Sequence, residues 1–266
     1  MFNKGGNAHM RREALWDRLY LSGIDSRAAE LARENGLGLE IAAFCYAPNL
    51  EDRTVVDAVR RDMAGVERFW FHAPFAELAP CAIDPLVRDV AFRRFRQTVQ
   101  AARQLNIRRV VFHGGFIPHV YYPEWYVEQS VQFWQTFLHD VPPDMLLVLE
   151  NVMEPSPDTL VSIVQQVNDP RLGLCLDVGH ANTCVSTTPP AAWVAPMAPS
   201  LRHVHLHSNE GDTDLHGALG TGTVPMGDVI DAVLRAAPQA SFTIENQNAL
   251  PSLQWLARQG YIEGAL

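Results

Sequence analysis

From Arg18 almost to the end of the chain, short apolar runs alternate with longer segments of helical period, and this alternation restricts the architecture more than any other feature. The runs read RLYLSGI from Arg18, LGLEIAAF from Leu37, RFWFHAPF from Arg68, RRVVFHGG from Arg108, MLLVLEN from Met145, LGLCLDVGH from Leu172, LRHVHLHSN from Leu201 and ASFTIENQN from Ala240. Most are continuous, as expected for parallel strands covered on both faces. Between them, SRAAELAREN, VRDVAFRRFRQTVQAARQLN and PDTLVSIVQQVN repeat apolar residues every three or four positions and predict amphipathic helices. Asp25-Ser26 and Asp84-Pro85 read as helix starts, a capping side chain ahead of the first turn. Eight such units predict one α/β domain, a closed (β/α)8 barrel over 16–266 behind a polar leader, 1–15. A doubly wound open sheet competes, but its usual glycine-rich first turn is absent.

The 266 residues are 47% hydrophobic and 19% charged, apolar enough for a large core and too evenly mixed for a disordered chain. With 21 lysines and arginines against 30 aspartates and glutamates, the net charge of −9 supplies no broad basic surface for phosphate backbones. Cys45, Cys81, Cys175 and Cys184 are scattered without a C-x-x-C pair, so neither a disulfide framework nor a thiolate zinc site is expected. The basic residues near the N-terminus precede no apolar run, and no stretch approaches the roughly 18 apolar residues of a membrane span. A cytoplasmic protein without a membrane partner is the expectation.

Each of the last six runs ends in a residue type that binds metals: His72, His113, Glu150, Asp177, His205 and Glu245. One such residue is usually a core histidine or a helix cap. Six in succession at the same strand end are hard to produce by packing, and in a barrel those ends ring one mouth. A divalent cation also removes the cost of burying the carboxylates. His180, in D-V-G-H, and Asp214 with His216, in D-L-H, extend the set. Nitrogen and oxygen ligands without thiolate suit zinc, manganese, cobalt or magnesium, and the histidines argue against calcium.

His203 and His207 flank His205 at even spacing and face the same side if the strand is regular. Either could support the site, His207 as a substrate contact. His119, Tyr121, Tyr122 and Trp125 could form an aromatic wall for a sugar or nucleotide, or simply cover the barrel top. Gly220 and Gly222 allow a ligand close approach or a tight turn. Glu40 could line the mouth, with no role to assign.

With FHAPF, VVFHGG, LLVLEN, CLDVGH, HLHSN, DLHGALGTG and TIEN in this order, the chain resembles the xylose-isomerase-like TIM barrels from about Arg18 to Gly260. That superfamily joins sugar isomerases and epimerases with the endonuclease IV type of abasic-site nuclease. The resemblance implies one cation on Glu150, Asp177, His205 and Glu245 in the mononuclear isomerases, with both glutamates moving a proton. In the nuclease branch it implies three zinc ions, the added ligands corresponding to His72, His113, His180, Asp214 and His216. Gly114, where the nuclease pattern has proline, and NVMEPSP after Glu150 depart from that branch.

The function expected is therefore a divalent-metal-dependent sugar or sugar-phosphate isomerase or epimerase, working by proton transfer through a metal-stabilised enediolate. Zinc or manganese, one to three ions, is the expected cofactor. Glu150 and Glu245 are the expected catalytic pair, and His180, Tyr122, Trp125 and His207 the expected substrate contacts. The alternatives are an endonuclease IV-like zinc phosphodiesterase, with nucleic acid as partner, and a non-catalytic metal- or sugar-binding barrel. The partner is otherwise a small carbohydrate, and a homo-oligomer stays open.

Overall fold

A computed structural model of the chain describes residues 15–183 and 185–263. The leader's residues 1–14 lie outside the described residues, and its last residue, Leu15, is buried in the core. Eight parallel strands close into a barrel in sequence order: β1 (Leu19–Ser22), β2 (Gly38–Ile41), β3 (Phe69–His72), β4 (Arg109–His113), β5 (Leu146–Glu150), β6 (Leu172–Asp177), β7 (Leu201–Leu206) and β8 (Ser241–Ile244). β8 pairs with β1 and leaves no free edge. The helices are α1 (Ala28–Asn35), α2 (Arg53–Met63), α3 (Pro85–Gln104), α4 (Pro123–Leu138), α5 (Asp158–Val167), α6 (Pro190–Met197), α7 (Met226–Ala236) and α8 (Leu250–Gln259). Among the described residues no helix is long and apolar enough to cross a membrane.

Helix starts follow the local chemistry. Asp84 accepts from the backbone N–H of Leu86 at 2.8 Å, with Pro85 opening α3. Asp25 does not cap α1, which begins three residues later at Ala28. Its carboxylate instead accepts from the N–H groups of Arg27 and Ala249, both at 2.8 Å, and ties the loop after β1 to the start of α8.

Each strand sends alternate residues outward and inward. Leu147 and Leu149 of β5, or Phe242 and Ile244 of β8, join the large core between strands and helices. Tyr20, Trp70, Val111, Val148 and Cys175 form a separate apolar plug inside the barrel. Above that plug the inward positions turn polar, which places the chemistry at the carboxyl end of the strands.

Candidate metal centre

The inward positions that end the strands are His72, His113, Glu150 and Asp177, joined by His205 one residue before the end of β7 and Glu245 just past β8. Cross-strand registry sets His113 beside Glu150 and Asp177 beside His205. Leu174 pairs with Leu201 but Cys175 with His203, so β7 carries one extra residue, Arg202. From that bulge onward His203, His205 and His207 turn into the barrel. A Cβ on Gly173 would collide with the Arg202 stem, so this glycine makes room for the bulge.

Glu150 is the hub. Its Oε2 stands 3.3 Å from His72 Nε2 and 3.4 Å from both His113 Nε2 and His205 Nδ1, and its Oε1 lies 3.3 Å from His180 Nδ1. His205 Nδ1 also lies 3.3 Å from Glu245 Oε2 and 3.7 Å from Asp177 Oδ2. A third group sits nearer solvent, where Asp214 Oδ2 is 3.2 Å from His180 Nε2 and 3.0 Å from His216 Nε2.

These residues fit a divalent cation. Glu150 Oε2 and His205 Nδ1 are buried without a hydrogen-bond partner, a costly arrangement unless something else satisfies them. Two atoms bound at about 2.0–2.2 Å to one tetrahedral ion stand roughly 3.3–3.6 Å apart. The contacts around Glu150 Oε2 fall in that range. Triads of ligand atoms within 4.8 Å of one another recur, among them His72–Glu150–His205, Asp177–His205–Glu245 and His207–Asp214–His216.

Glu40, fully buried, lies beneath. Its Oε1 faces His205 Nε2 at 3.1 Å, while Oε2 accepts from Thr243 Oγ1 at 2.6 Å and meets His203 Nε2 at 3.1 Å. His203 Nδ1 in turn meets Ser241 Oγ at 2.7 Å, and Ser241 accepts from Trp70 Nε1. Burial pushes the pKa of His203 down to about 4, despite the carboxylate beside it. Burial would raise Glu40, yet the His205 and His203 rings hold it well below the usual carboxylate range.

At the hub itself, burial opposes ionisation of Glu150, but His113 and His205 outweigh it and keep its pKa well below normal. His216 behaves oppositely: burial would lower it, and the hydrogen bond to Asp214 together with Glu245 lifts it to about 9. Its Nδ1 donates to the Glu245 carbonyl at 3.0 Å, turning Nε2 to Asp214. The His216 backbone is left-handed, φ 48°, a conformation uncommon for residues other than glycine.

Supporting residues explain several motif positions. In D-V-G-H, a Cβ on Gly179 would overlap the His207 ring, which occupies that space to reach Asp177 Oδ1 at 2.9 Å. Asn151, after Glu150, pairs with the backbone of Asp177 through both N–H at 2.8 Å and C=O at 2.9 Å. Asn246, after Glu245, donates to the carbonyls of His216 at 2.9 Å and Gly217 at 2.8 Å. Gly114 sits where a Cβ would strike the Tyr126 hydroxyl, which donates to buried Glu154 at 2.7 Å. That contact accounts for both departures from the nuclease pattern, since Glu154 belongs to NVMEPSP.

A cleft of about 820 Å³ opens over the centre, lined by His72, His113, Glu150, His180, Asp214, His216 and Glu245 among others. His207 is fully buried and does not line it; it links Asp177 to Asp214 and stacks on His216 at 4.1 Å. Tyr122 and Trp125 also stand apart from the cleft. Tyr122 is 79% exposed, and Trp125 Nε1 donates to the Cys81 carbonyl at 3.0 Å. Gly220 and Gly222 serve tight packing, the first under Trp255 and the second against the Asn209 carbonyl, both at positive φ. The sequence alone does not reveal the roles of Asn151, Asn246 and Gly179, although the repeated Glu-Asn pair is a visible signal.

The model of the family described as xylose isomerase-like TIM barrel matches residues 10–259. The uncharacterized protein MJ1311 of Methanocaldococcus jannaschii is 27% identical over 214 residues, 76% of this chain and 69% of that protein. The TTHB071 protein of Thermus thermophilus, in a crystal soaked with zinc chloride, superposes with TM-score 0.75 at 26% identity, over 94% of this chain and all of that one (100%). A D-tagatose 3-epimerase-like protein shares the fold with TM-score 0.74 at 23% identity, over 91% of this chain and 96% of that one. The barrel, the strand-end residues and the match along nearly the whole sequence agree: this chain belongs to the xylose isomerase-like TIM barrel family.

Proposed function

We propose that the protein is a divalent-metal-dependent isomerase or epimerase of a small carbohydrate, acting by proton transfer at a carbon next to a carbonyl. The observation that carries this reading is the pair Glu150 and Glu245, which both line the cleft and both approach His205 Nδ1, at 3.4 and 3.3 Å. Glu150, Asp177, His205 and Glu245 would hold a cation, zinc or manganese, whose Lewis acidity when bound polarises a carbonyl and eases loss of the neighbouring proton. Glu245, on the more open side, would remove that proton as a carboxylate, and Glu150 would return one only if it enters the step protonated, Glu245 otherwise giving back the proton it took. Return to the same carbon from the opposite face gives the epimer, whereas return to the former carbonyl carbon, with the hydroxyl proton passing to the other oxygen, gives the isomer. His180, which lines the cleft, orients a hydroxyl.

A second reading, a multinuclear phosphodiesterase, draws on the further groups His72–His113–Glu150 and His180–Asp214–His216. The composition of the cleft weighs against it, because no lysine or arginine occurs among its described lining residues.

Incubation with a panel of ketoses in deuterated water, and separately with an abasic-site DNA duplex, tests the choice. Solvent deuterium should enter a sugar carbon, and Glu245→Gln should slow this by about 10²–10⁴-fold. Duplex cleavage without deuterium incorporation would replace the isomerase with the hydrolase.

A further inference from the structure

The lip of the cleft is apolar, and the distribution of exposed apolar side chains is one-sided. All the large hydrophobic residues exposed among the described ones fall on loops that follow strands, or on the opening turns of α3. Ile24, Phe75, Met153 and Leu215, between 37 and 58% exposed, line the cleft itself. Phe75 lies flat on His113, with ring centroids 4.4 Å apart and planes 16° apart, so the aromatic surface begins directly beside the ligand cluster. Arg27 pairs with Glu30 and Arg88 is taken up by the carbonyls of Ala82 and Ile83, and neither lines the cleft.

Among the described lining residues a phosphate on the substrate would find no lysine or arginine. A small free sugar would leave the lip uncovered, since about 820 Å³ lies in the upper part of the range for drug-sized ligands, roughly 300–1,000 Å³. Exposed apolar surface that is continuous with a binding cleft marks what the cleft receives.

We infer that the substrate carries an uncharged apolar arm, an aryl or alkyl group joined to a polyhydroxy carbonyl head. The head reaches Glu150 and Glu245, and the arm lies along Phe75, Met153 and Leu215. This rests on the proton-transfer reading for the head and on the lip alone for the arm.

Three probes that differ only at one hydroxyl separate the two: D-fructose, its 6-phosphate and its 6-O-benzyl ether, titrated calorimetrically into the metal-loaded protein. The benzyl ether should bind about tenfold or more tighter than fructose, and the phosphate should gain nothing. Leu215→Ser and Met153→Ser, at exposed positions, should erase most of the benzyl advantage and leave fructose affinity unchanged. A phosphate that binds tighter than the benzyl ether, a benzyl ether no tighter than fructose, or an advantage that survives both substitutions would overturn the inference. Deuterium incorporation into the same probes reports on the head independently. Exchange at equal rates in all three retains proton transfer and rejects the arm, whereas preferential benzyl binding with no exchange retains the arm and rejects proton transfer.

Discussion

A histidine presents one nitrogen to a metal and must place its other proton somewhere, and for His205 the nearest carboxylate to Nε2 is Glu40, 3.1 Å away but out of line for a hydrogen bond. A proton drawn to Nε2 by that negative charge leaves the Nδ1 lone pair facing Glu150 and Glu245. Glu40→Gln keeps the volume but lets an amide N–H₂ face the ring as a donor, which favours the wrong tautomer. Affinity for zinc, measured by competition with a chromophoric chelator, should fall about 10–100-fold while the melting curve stays cooperative. Unchanged affinity would show that Glu40 does not set the tautomer. Gly179 acts on the neighbouring ring: Gly179→Ala should displace His207 and cost about 1–3 kcal/mol in urea unfolding, as overpacking does.

At the scale of elements, two Glu-Asn pairs at the ends of β5 and β8 each set an amide beside a candidate ligand, Asn151 holding the end of β6 and Asn246 the loop at His216. Asn246→Ala would leave the carbonyls of His216 and Gly217 without that donor. Unfolding midpoints should drop by the equivalent of about 1–3 kcal/mol, and amide exchange between 214 and 217 should quicken. No change in either would mean that the loop is held by its own turn. The eight strands were legible in the sequence because apolar packing against helices fixes every second residue and the barrel plug supplies apolar residues between them. The mouth residues were legible as types at strand ends. What stayed hidden depends on distance across the barrel. Nothing in LGLEIAAF tells that Glu40 meets His203, 163 positions away, and no local pattern reveals that Tyr122 faces solvent while Phe75 faces the cleft.

For the whole molecule, an ion bound only by the folded barrel adds to its stability. At a free concentration of 100 times Kd the gain is about 2.7 kcal/mol, and chelation should lower the melting temperature by several degrees. How the gap varies with pH reports whether His216 also holds the ion. The ion-free protein is stabilised by protonated His216 against Asp214, fully below the unfolded histidine value of about 6.5 and progressively less as pH rises toward about 9. An ion on His216, as in the multinuclear reading, would displace that proton, and chelation would then cost least near pH 6 and most near pH 9, as followed by differential scanning calorimetry. A gap that is constant over this range would place the ion away from His216.

The pairing of β8 with β1 also sets the order in which such a molecule can be made. During synthesis His72, His113 and Glu150 leave the ribosome on adjacent strands well before Glu245, but the ring that holds them has no closing seam until Ser241–Ile244 can dock on Leu19–Leu21. Contacts of such long range form slowly. Until they form, two open strand edges and a set of unpaired ligands are presented to chaperones and free metal together. The last strand thus acts as the clasp of the whole assembly, and its arrival marks the moment at which the nascent chain becomes able to hold an ion.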